Sequence, residues 1–278
     1  MAQRFNAEII SADSRQIYRD MPIGTAAPTH AQQTAVPHHL VEIIEPSERY
    51  SAARFADEAI ERISDIHARG KRAIVVGGTG FYVRALTGYV ALSPPANPEM
   101  RQRLSIESRL HDASFLHQWL ALHEPARAAA IAPEDRYRVL RALEISLMRK
   151  ELRAECPRES HASGLSFVKV FIDVNDDLLE RRIADRVDAM LSAGLIEEAE
   201  RIGPHAVAAS AVGYLHVLAY LRGWETFDEL RANMIRATRR YAKRQRTWFR
   251  SEPQTIWLRN ADLVCDIEKV AKEKLGWA

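Results

Sequence analysis

Between Arg231 and Arg250 the chain carries eight basic side chains and no acidic one. At about 100° per residue, Arg236, Arg239, Arg240, Lys243 and Arg250 fall on one narrow helical stripe, with Arg246 at its margin. Met234, Ala237, Tyr241, Trp248 and Phe249 fall on the other side. One face is built to pack and the other to meet phosphate. A helix that needs only solubility gains from interleaved carboxylates at i, i+4. None occurs here, so the stripe is read as a contact for nucleic acid or a diphosphate rather than a solvated face. A second, weaker basic element is DRYRVLRALE at 135–144. There Arg138 and Arg141 share a side, Val139, Leu140 and Leu143 face elsewhere, and Tyr137 is suited to stacking on an unpaired base.

Two further features could carry chemistry. Asp13 follows the apolar segment Glu8 to Ser11, where a carboxylate is held at the ligand-binding edge of a sheet. It could serve as general base or metal ligand, or simply cap a turn. The glycines of Gly77-Gly-Thr-Gly80 let backbone amides and the Thr79 hydroxyl approach a phosphate, although such glycines also serve tight turns. His38 and His39 have no carboxylate or cysteine at ligand spacing and read as structural.

These residues need elements to hold them. Residues 8–11 and 72–77 read as buried strands, and 40–44 as another. Between the last two lies a helix capped by Ser51, with Phe55, Ala59, Ile60, Ile63 and Ile66 on its apolar face and Gly70 as its stop. Strand, helix, strand, glycine turn and helix imply a parallel α/β arrangement with ligands at the carboxyl ends of the strands. A helical insertion, roughly 99–153, precedes a returning strand at 167–173. Helices follow at 178–191, 195–202 and 227–249, then a strand at 255–258 and a helix at 264–275 that packs back on the core.

The 278 residues, 47% of them hydrophobic, suit one or two globular domains. The net charge of +2 hides an asymmetry: without the eight basic residues of 231–250, 31 of the 39 Lys and Arg remain against 37 acidic residues. Positive charge gathered in one place is the footprint of a polyanion. No run of about 18 apolar residues occurs, and MAQRFNAEII lacks the pattern of a secretion signal. A cytoplasmic, monomeric protein with no membrane partner is expected. Cys156 and Cys265 read as free thiols.

In this order the segments AEIISADSRQIYRDMPIGTA (7–26), PHHLVEIIEPSERYSAARF (37–55), VVGGTGFYVRAL (75–86), PEDRYRVLRALE (133–144), RIADRVDAMLSAGLIEEA (182–199), AVGY (211–214) and TRRYAKRQRTWFR (238–250) resemble the tRNA dimethylallyltransferase, or isopentenyl-tRNA transferase, family. The resemblance spans nearly the whole chain. It implies a P-loop-kinase-like parallel sheet core at 1–92 and 160–278, with a helical insertion domain at 93–159 that grips the tRNA anticodon arm. It implies transfer of a dimethylallyl group from dimethylallyl diphosphate to an adenosine beside the anticodon, with Mg²⁺ sharing the diphosphate. Asp13 matches the family's general base, Thr79 a hydroxyl on the diphosphate, and Arg186 an arginine of the same site. Asp13, Ser14, Arg15 and Gln16, then Tyr137, Arg138, Val139, Leu140 and Arg141, then Ser210, Ala211, Val212, Gly213 and Tyr214 match segments around the target base.

The departures lie on ligand-side or turn positions. Ala27 stands where a lysine is usual, Leu215 replaces a basic residue after VGY, and Arg149-Lys-Glu151 replaces a TG turn. Family members carry a strand and a GxxxxGKT-type loop ahead of the helix that leads to AEIIS, and Met1 aligns within that helix. The expectation is therefore that the 278-residue chain by itself binds tRNA weakly and forms no product. The rival readings are a tRNA-binding protein without catalysis and a nucleotide kinase-like phosphotransferase.

Overall fold

The computed structural model describes residues 1–88, 97–152, 164–259 and 263–277, with side chains of 149–152 excepted. The chain forms two compact units, Met1–Val90 with Ser160–Ala278, and Ala91–Glu159.

The first unit begins with a turn at residues 2–6, where a helix is expected, and then strand β1 (Ala7–Ser11). Two short helices, α1 (Pro22–Thr25) and α2 (His30–Ala35), lead to β2 (His38–His39). Next come α3 (Ala52–Ala68), β3 (Arg72–Val76) and α4 (Gly80–Leu86). The three strands make a parallel sheet in the order β2-β1-β3, with Ile10 opposite both His39 and Val75. β1 is buried on both faces, which suits its apolar residues Ala7, Ile9 and Ile10. Helix α3 starts where the Ser51 side chain accepts from the Arg54 amide, buries Phe55, Ala59, Ile63 and Ile66, and ends before Gly70 at φ +70°.

The strand expected at 40–44 does not form. Leu40 and Glu42 adopt left-handed backbone (φ 59° and 51°), which breaks the extended path. The segment instead docks by its amides, with Glu42 N donating to Gln16 O and Ile43 N to Ile17 O, both at 2.8 Å. Its apolar residues Leu40 and Ile44 are buried all the same, so the apolar text there reports burial and not strand.

The second unit contains α5 (Pro98–Leu110), α6 (Ala113–His123), α7 (Pro125–Ala129) and α8 (Arg136–Leu152). Asn97 and Asp112 cap α5 and α6. Its core joins Met100, Leu104, Leu116, Leu120, Ala128, Val139, Ala142 and Leu143. Glu144 is buried beneath Arg101 and Arg141, at 3.1 and 2.6 Å. The two arginines and the Asn97 amide hold its carboxyl below the usual range against the opposing effect of burial, the largest single contribution.

The chain returns to the first unit with β4 (Lys169–Ile172), which pairs in parallel with β5 (Thr255–Leu258). Between them run α9 (Asp176–Ser192), α10 (Leu195–Ile202), α11 (Tyr214–Leu221) and the long α12 (Phe227–Arg250). A reciprocal capping box between Thr226 and Glu229 starts α12. The final helix, α13 (Leu263–Leu275), returns to the N-terminal turn, where Trp277 meets Phe5 edge-on at 5.3 Å.

Two buried carboxylates lock this unit. Glu8 lies under Arg69, Lys71 and His39, which gives the histidine a structural partner 31 residues away. Hydrogen bonding from Arg69 does most to hold the Glu8 carboxyl far below the carboxylate range, with Lys71 and His39 assisting against burial. Glu252, just past α12, binds Arg84 of α4 at 2.8 Å and Lys169 of β4 at 3.1 Å.

Candidate active site

The site begins at the carboxyl ends of β1 and β3. Asp13 Oδ1 accepts from the amides of Arg15 (2.8 Å) and Gln16 (3.4 Å). The turn-capping reading therefore holds for that oxygen, while Oδ2 accepts no hydrogen bond among the described residues. The Ser14 amide donates to Thr79 Oγ1 at 3.0 Å, and the Thr79 hydroxyl faces Ser14 Oγ at 3.3 Å. The Thr79 amide closes the join by donating to Ala12 O at 3.2 Å. Asp13 and Thr79 are thus adjacent because parallel strands bring their ends side by side. Gly77 is required by that closeness: a Cβ there would lie 2.2 Å from the Ala12 carbonyl oxygen.

Helix α12 lies across the glycine turn. Gln245 Nε2 donates to Gly78 O at 3.1 Å. The Trp248 ring sits where a Gly80 Cβ would be, 2.1 Å from its nearest atom, and Arg84 stacks on that ring at 4.4 Å. Tyr241, one turn before Gln245, lies half-buried in the neighbourhood of Asp13, Arg15, Thr79 and Gln245. Burial raises its pKa first and the Asp13 carboxylate second, with Gln245, Arg15 and Thr79 opposing. Sequence reading left Tyr241 on the packing face and omitted Gln245. Their spacing, with Trp248, is i, i+4, i+7, the one signal that marks them as a common face.

With this geometry in hand, comparison with other proteins is decisive. Residues 16–252 match the IPP transferase family. The chain belongs to that family. It is 40% identical over 283 residues to a tRNA dimethylallyltransferase of Geobacter sulfurreducens, covering 99% of this chain and 91% of that one. A tRNA dimethylallyltransferase of Syntrophobacter fumaroxidans is 37% identical over 280 residues, covering 98% and 82%. Among solved structures, the full-length tRNA isopentenylpyrophosphate transferase of Bacillus halodurans superposes with TM-score 0.69 at 36% identity, covering 99% of this chain and 89% of that chain. A eukaryotic dimethylallyltransferase acting on tRNA gives TM-score 0.73 at 26% identity, covering 98% and 73%.

The remaining sequence-derived residues divide into presented and buried ones. Arg236, Arg239, Arg240 and Lys243 are exposed along α12. The sequence run has no acid of its own, but neighbouring elements provide them. Arg239 pairs with Glu180 and Arg231 with Asp188 of α9. Arg246 binds Asp173 (2.8 Å) and Asp176 (2.6 Å). Among the described residues Arg236, Arg240 and Lys243 make no ion pair, and neither does Arg186, exposed on α9.

The segment 210–214 is mostly internal. Ser210 is exposed and Val212 half-buried, but Ala211, Gly213 and Tyr214 are buried. The Tyr214 hydroxyl donates to Glu198 Oε1 at 2.5 Å, and the same fully buried carboxylate accepts from the Ile23 and Gly24 amides at 2.9 and 2.8 Å. Burial foremost, then Glu198, pushes the Tyr214 hydroxyl pKa well up. Tyr214 thus holds the 22–24 segment from behind rather than offering its ring to a ligand. Gln16 belongs to the same framework, accepting from Ser11 Oγ at 3.0 Å and donating to Ala26 O at 3.1 Å. In the helical unit Tyr137 and Arg138 are exposed, and Arg138 pairs with Asp135 at 2.6 Å. Val139 is core, Leu140 packs against it, and Arg141 is committed to Glu144. Direct readout by the Val139, Ala211 or Tyr214 side chains has no surface to act through.

Proposed function

We propose that the protein transfers a dimethylallyl group from dimethylallyl diphosphate to N6 of the adenosine 3′ of the tRNA anticodon. The observation that carries this is the nearness in the fold of Asp13, whose Oδ1 is held by the Arg15 amide, and the Thr79 hydroxyl, held by the Ser14 amide, at the ends of adjacent parallel strands. The adenine amine is a poor nucleophile because its lone pair is delocalised into the ring. As N6 forms its bond to C1 of the allyl group, Asp13 takes the amine proton. The C1–O bond breaks and its electron pair leaves with the diphosphate, toward which the Thr79 hydroxyl and Arg186 are directed in this reading.

The target adenine must leave its stack to reach a carboxylate at a sheet edge. Arg240, Lys243 and Arg236 are assigned to tRNA phosphates, and Tyr137 and Arg138 of the helical unit to the anticodon arm. Arg15 and the Ser14 turn border the target base. Mg²⁺ would enter with the diphosphate, since it ordinarily rides on substrate phosphates. The ion would neutralise charge on the leaving group, leaving Asp13 to act as the base. No helix among the described residues is long and apolar enough to cross a membrane.

The test is formation of N6-isopentenyladenosine in tRNA incubated with the protein and dimethylallyl diphosphate. Asp13→Asn should slow single-turnover transfer about 10²- to 10⁴-fold while leaving tRNA affinity within a few-fold. Transfer at the wild-type rate by that variant would remove Asp13 from the role. Binding of tRNA with no product would favour the non-catalytic RNA-binding reading.

A further inference from the structure

We infer that the stacked ring pair Phe115–His111 of the helical unit is a base-stacking platform for an unpaired nucleotide of the tRNA substrate. This rests on the tRNA-directed reading above for its ligand and goes beyond it in naming a contact outside the 135–144 segment.

Helix α6 carries more apolar surface than its core uses. Leu116 and Leu120 are fully buried in that core. Phe115, Trp119 and Leu122 stand at i, i+4 and i+7 and make a second stripe. Trp119 is half-buried, but Phe115 and Leu122 are 47% and 82% exposed. A single solvated phenylalanine needs no explanation. Phe115 is not single: the His111 ring stacks on it at 4.1 Å with 23° between the planes. Both rings are held in place. His111 Nε2 lies 3.4 Å from Glu107 Oε2, and the Phe115 amide donates to the capping Asp112 at 2.7 Å. Leu110, next to His111 in the chain, and Ile106, one turn earlier, are exposed as well.

The charges around the pair select a nucleotide over an apolar protein surface. Arg136 of α8 donates to the His111 and Ser108 carbonyls, which brings the start of α8 to the corner between α5 and α6. Neither Arg136 nor the exposed Arg109 makes an ion pair among the described residues. The carboxylates nearby are engaged: Asp112 caps α6, Glu107 faces His111, and Asp135 pairs with Arg138 at 2.6 Å. A flat ring surface beside two cations that lack carboxylate counterions matches an unpaired base and its phosphates. The platform is also continuous with the segment assigned to the anticodon arm, because Arg136 joins it to Tyr137, 76% exposed, and to Arg138. Two aromatic surfaces at one corner can take two bases of a splayed loop.

The test is binding of a labelled anticodon stem-loop by the full chain and its Phe115 variants, with 2-aminopurine placed at each unpaired loop position in turn. Loss of one stacked base weakens binding about 5- to 150-fold. Phe115→Ala should fall in that range. Phe115→Leu should share most of the loss, because it keeps apolar bulk without a ring face, and Phe115→Trp should bind as wild type. Stacking releases no counterions, so the salt dependence should keep its slope in all three. Quenching of 2-aminopurine at one loop position should disappear in Phe115→Leu. Wild-type affinity in Phe115→Leu would overturn the proposal, and so would an equal loss in Phe115→Trp. Self-association of the wild-type chain that Phe115→Leu abolishes in sedimentation would make this face an interface between copies and overturn it too. If the wild-type protein forms N6-isopentenyladenosine while Phe115→Leu binds the stem-loop normally, the platform falls and the transferase reading stands. If the wild-type protein does not bind the stem-loop, the tRNA-directed reading falls and the platform with it.

Discussion

The basic run on α12 is not electrostatically uniform, and tRNA binding should show it. Arg231 and Arg246 are held by Asp188, Asp173 and Asp176, whereas Arg240 and Lys243 make no ion pair among the described residues. Each phosphate neutralised releases counterions, steepening the log–log salt dependence of binding by about 0.7 for single strands to 0.9 for duplex. The double substitution Arg240→Ala with Lys243→Ala should therefore flatten the slope by about 1.4 to 1.8. Between about 50 and 200 mM salt that is roughly a tenfold smaller loss of affinity than wild type suffers. Arg231→Ala with Arg246→Ala removes the same formal charge, but those cations already have carboxylate counterions. Its slope should change by less than about 0.5, although stability will fall. Fluorescence anisotropy of a labelled anticodon stem-loop across that range measures both. Equal flattening by the two pairs would refute the reasoning, because it would mean that pairing with α9 and β4 does not withhold a cation from RNA.

Glycine substitutions separate backbone from side-chain constraint. A Cβ on Gly77 meets the Ala12 backbone, while one on Gly78 meets the end of the Gln245 side chain. Urea unfolding should show Gly77→Ala losing more than about 2 kcal/mol and Gly78→Ala about 1, and equal losses would contradict the assignment. Tyr214→Phe removes a hydrogen bond to a buried charged carboxylate and should cost about 1.5 to 3 kcal/mol in the same assay. Glu8 ionises below its ordinary value of 4.5 in the fold, so its stabilisation is complete above that pH and is lost as pH falls through the depressed folded value. Acid titration of stability should be flatter in Glu8→Gln, and an unchanged acid limb would show that the cluster is not coupled to folding.

Much of this architecture was readable where the signal is local. The strands at Ala7–Ser11 and Arg72–Val76 are short and largely apolar, and Ser51 and Gly70 mark the ends of α3. The segment 40–44 misled because burial and strand share the same apolar text, while the left-handed residues Leu40 and Glu42 leave no compositional trace. Helix α11 (YLHVLAYL) is apolar almost all round and offers no period to read. The Thr29–Gln32 capping box of α2 was a legible signal that went unused. Asp13 and Thr79 could be singled out by their places after strands. Glu198 could not, since its partners Gly24 and Ile23 lie 174 and 175 residues away. Nor could the carboxylates that neutralise Arg231, Arg239 and Arg246, which only tertiary packing brings to α12.

That distance across the chain has a consequence for synthesis. Gly24 is fixed by Glu198 and crowded by the Tyr214 ring, and the glycine turn is seated by Gln245 and Trp248. The strands carrying Asp13 and Thr79 leave the ribosome early, but the residues that fasten their loops come last. At about 5 to 20 residues per second, the 174 positions between Gly24 and Glu198 correspond to roughly 9 to 35 s during which the first sheet exists without its clasps. A nascent chain halted before α10 should keep the 12–26 segment open to protease, and release of a chain extending past α12 should close it.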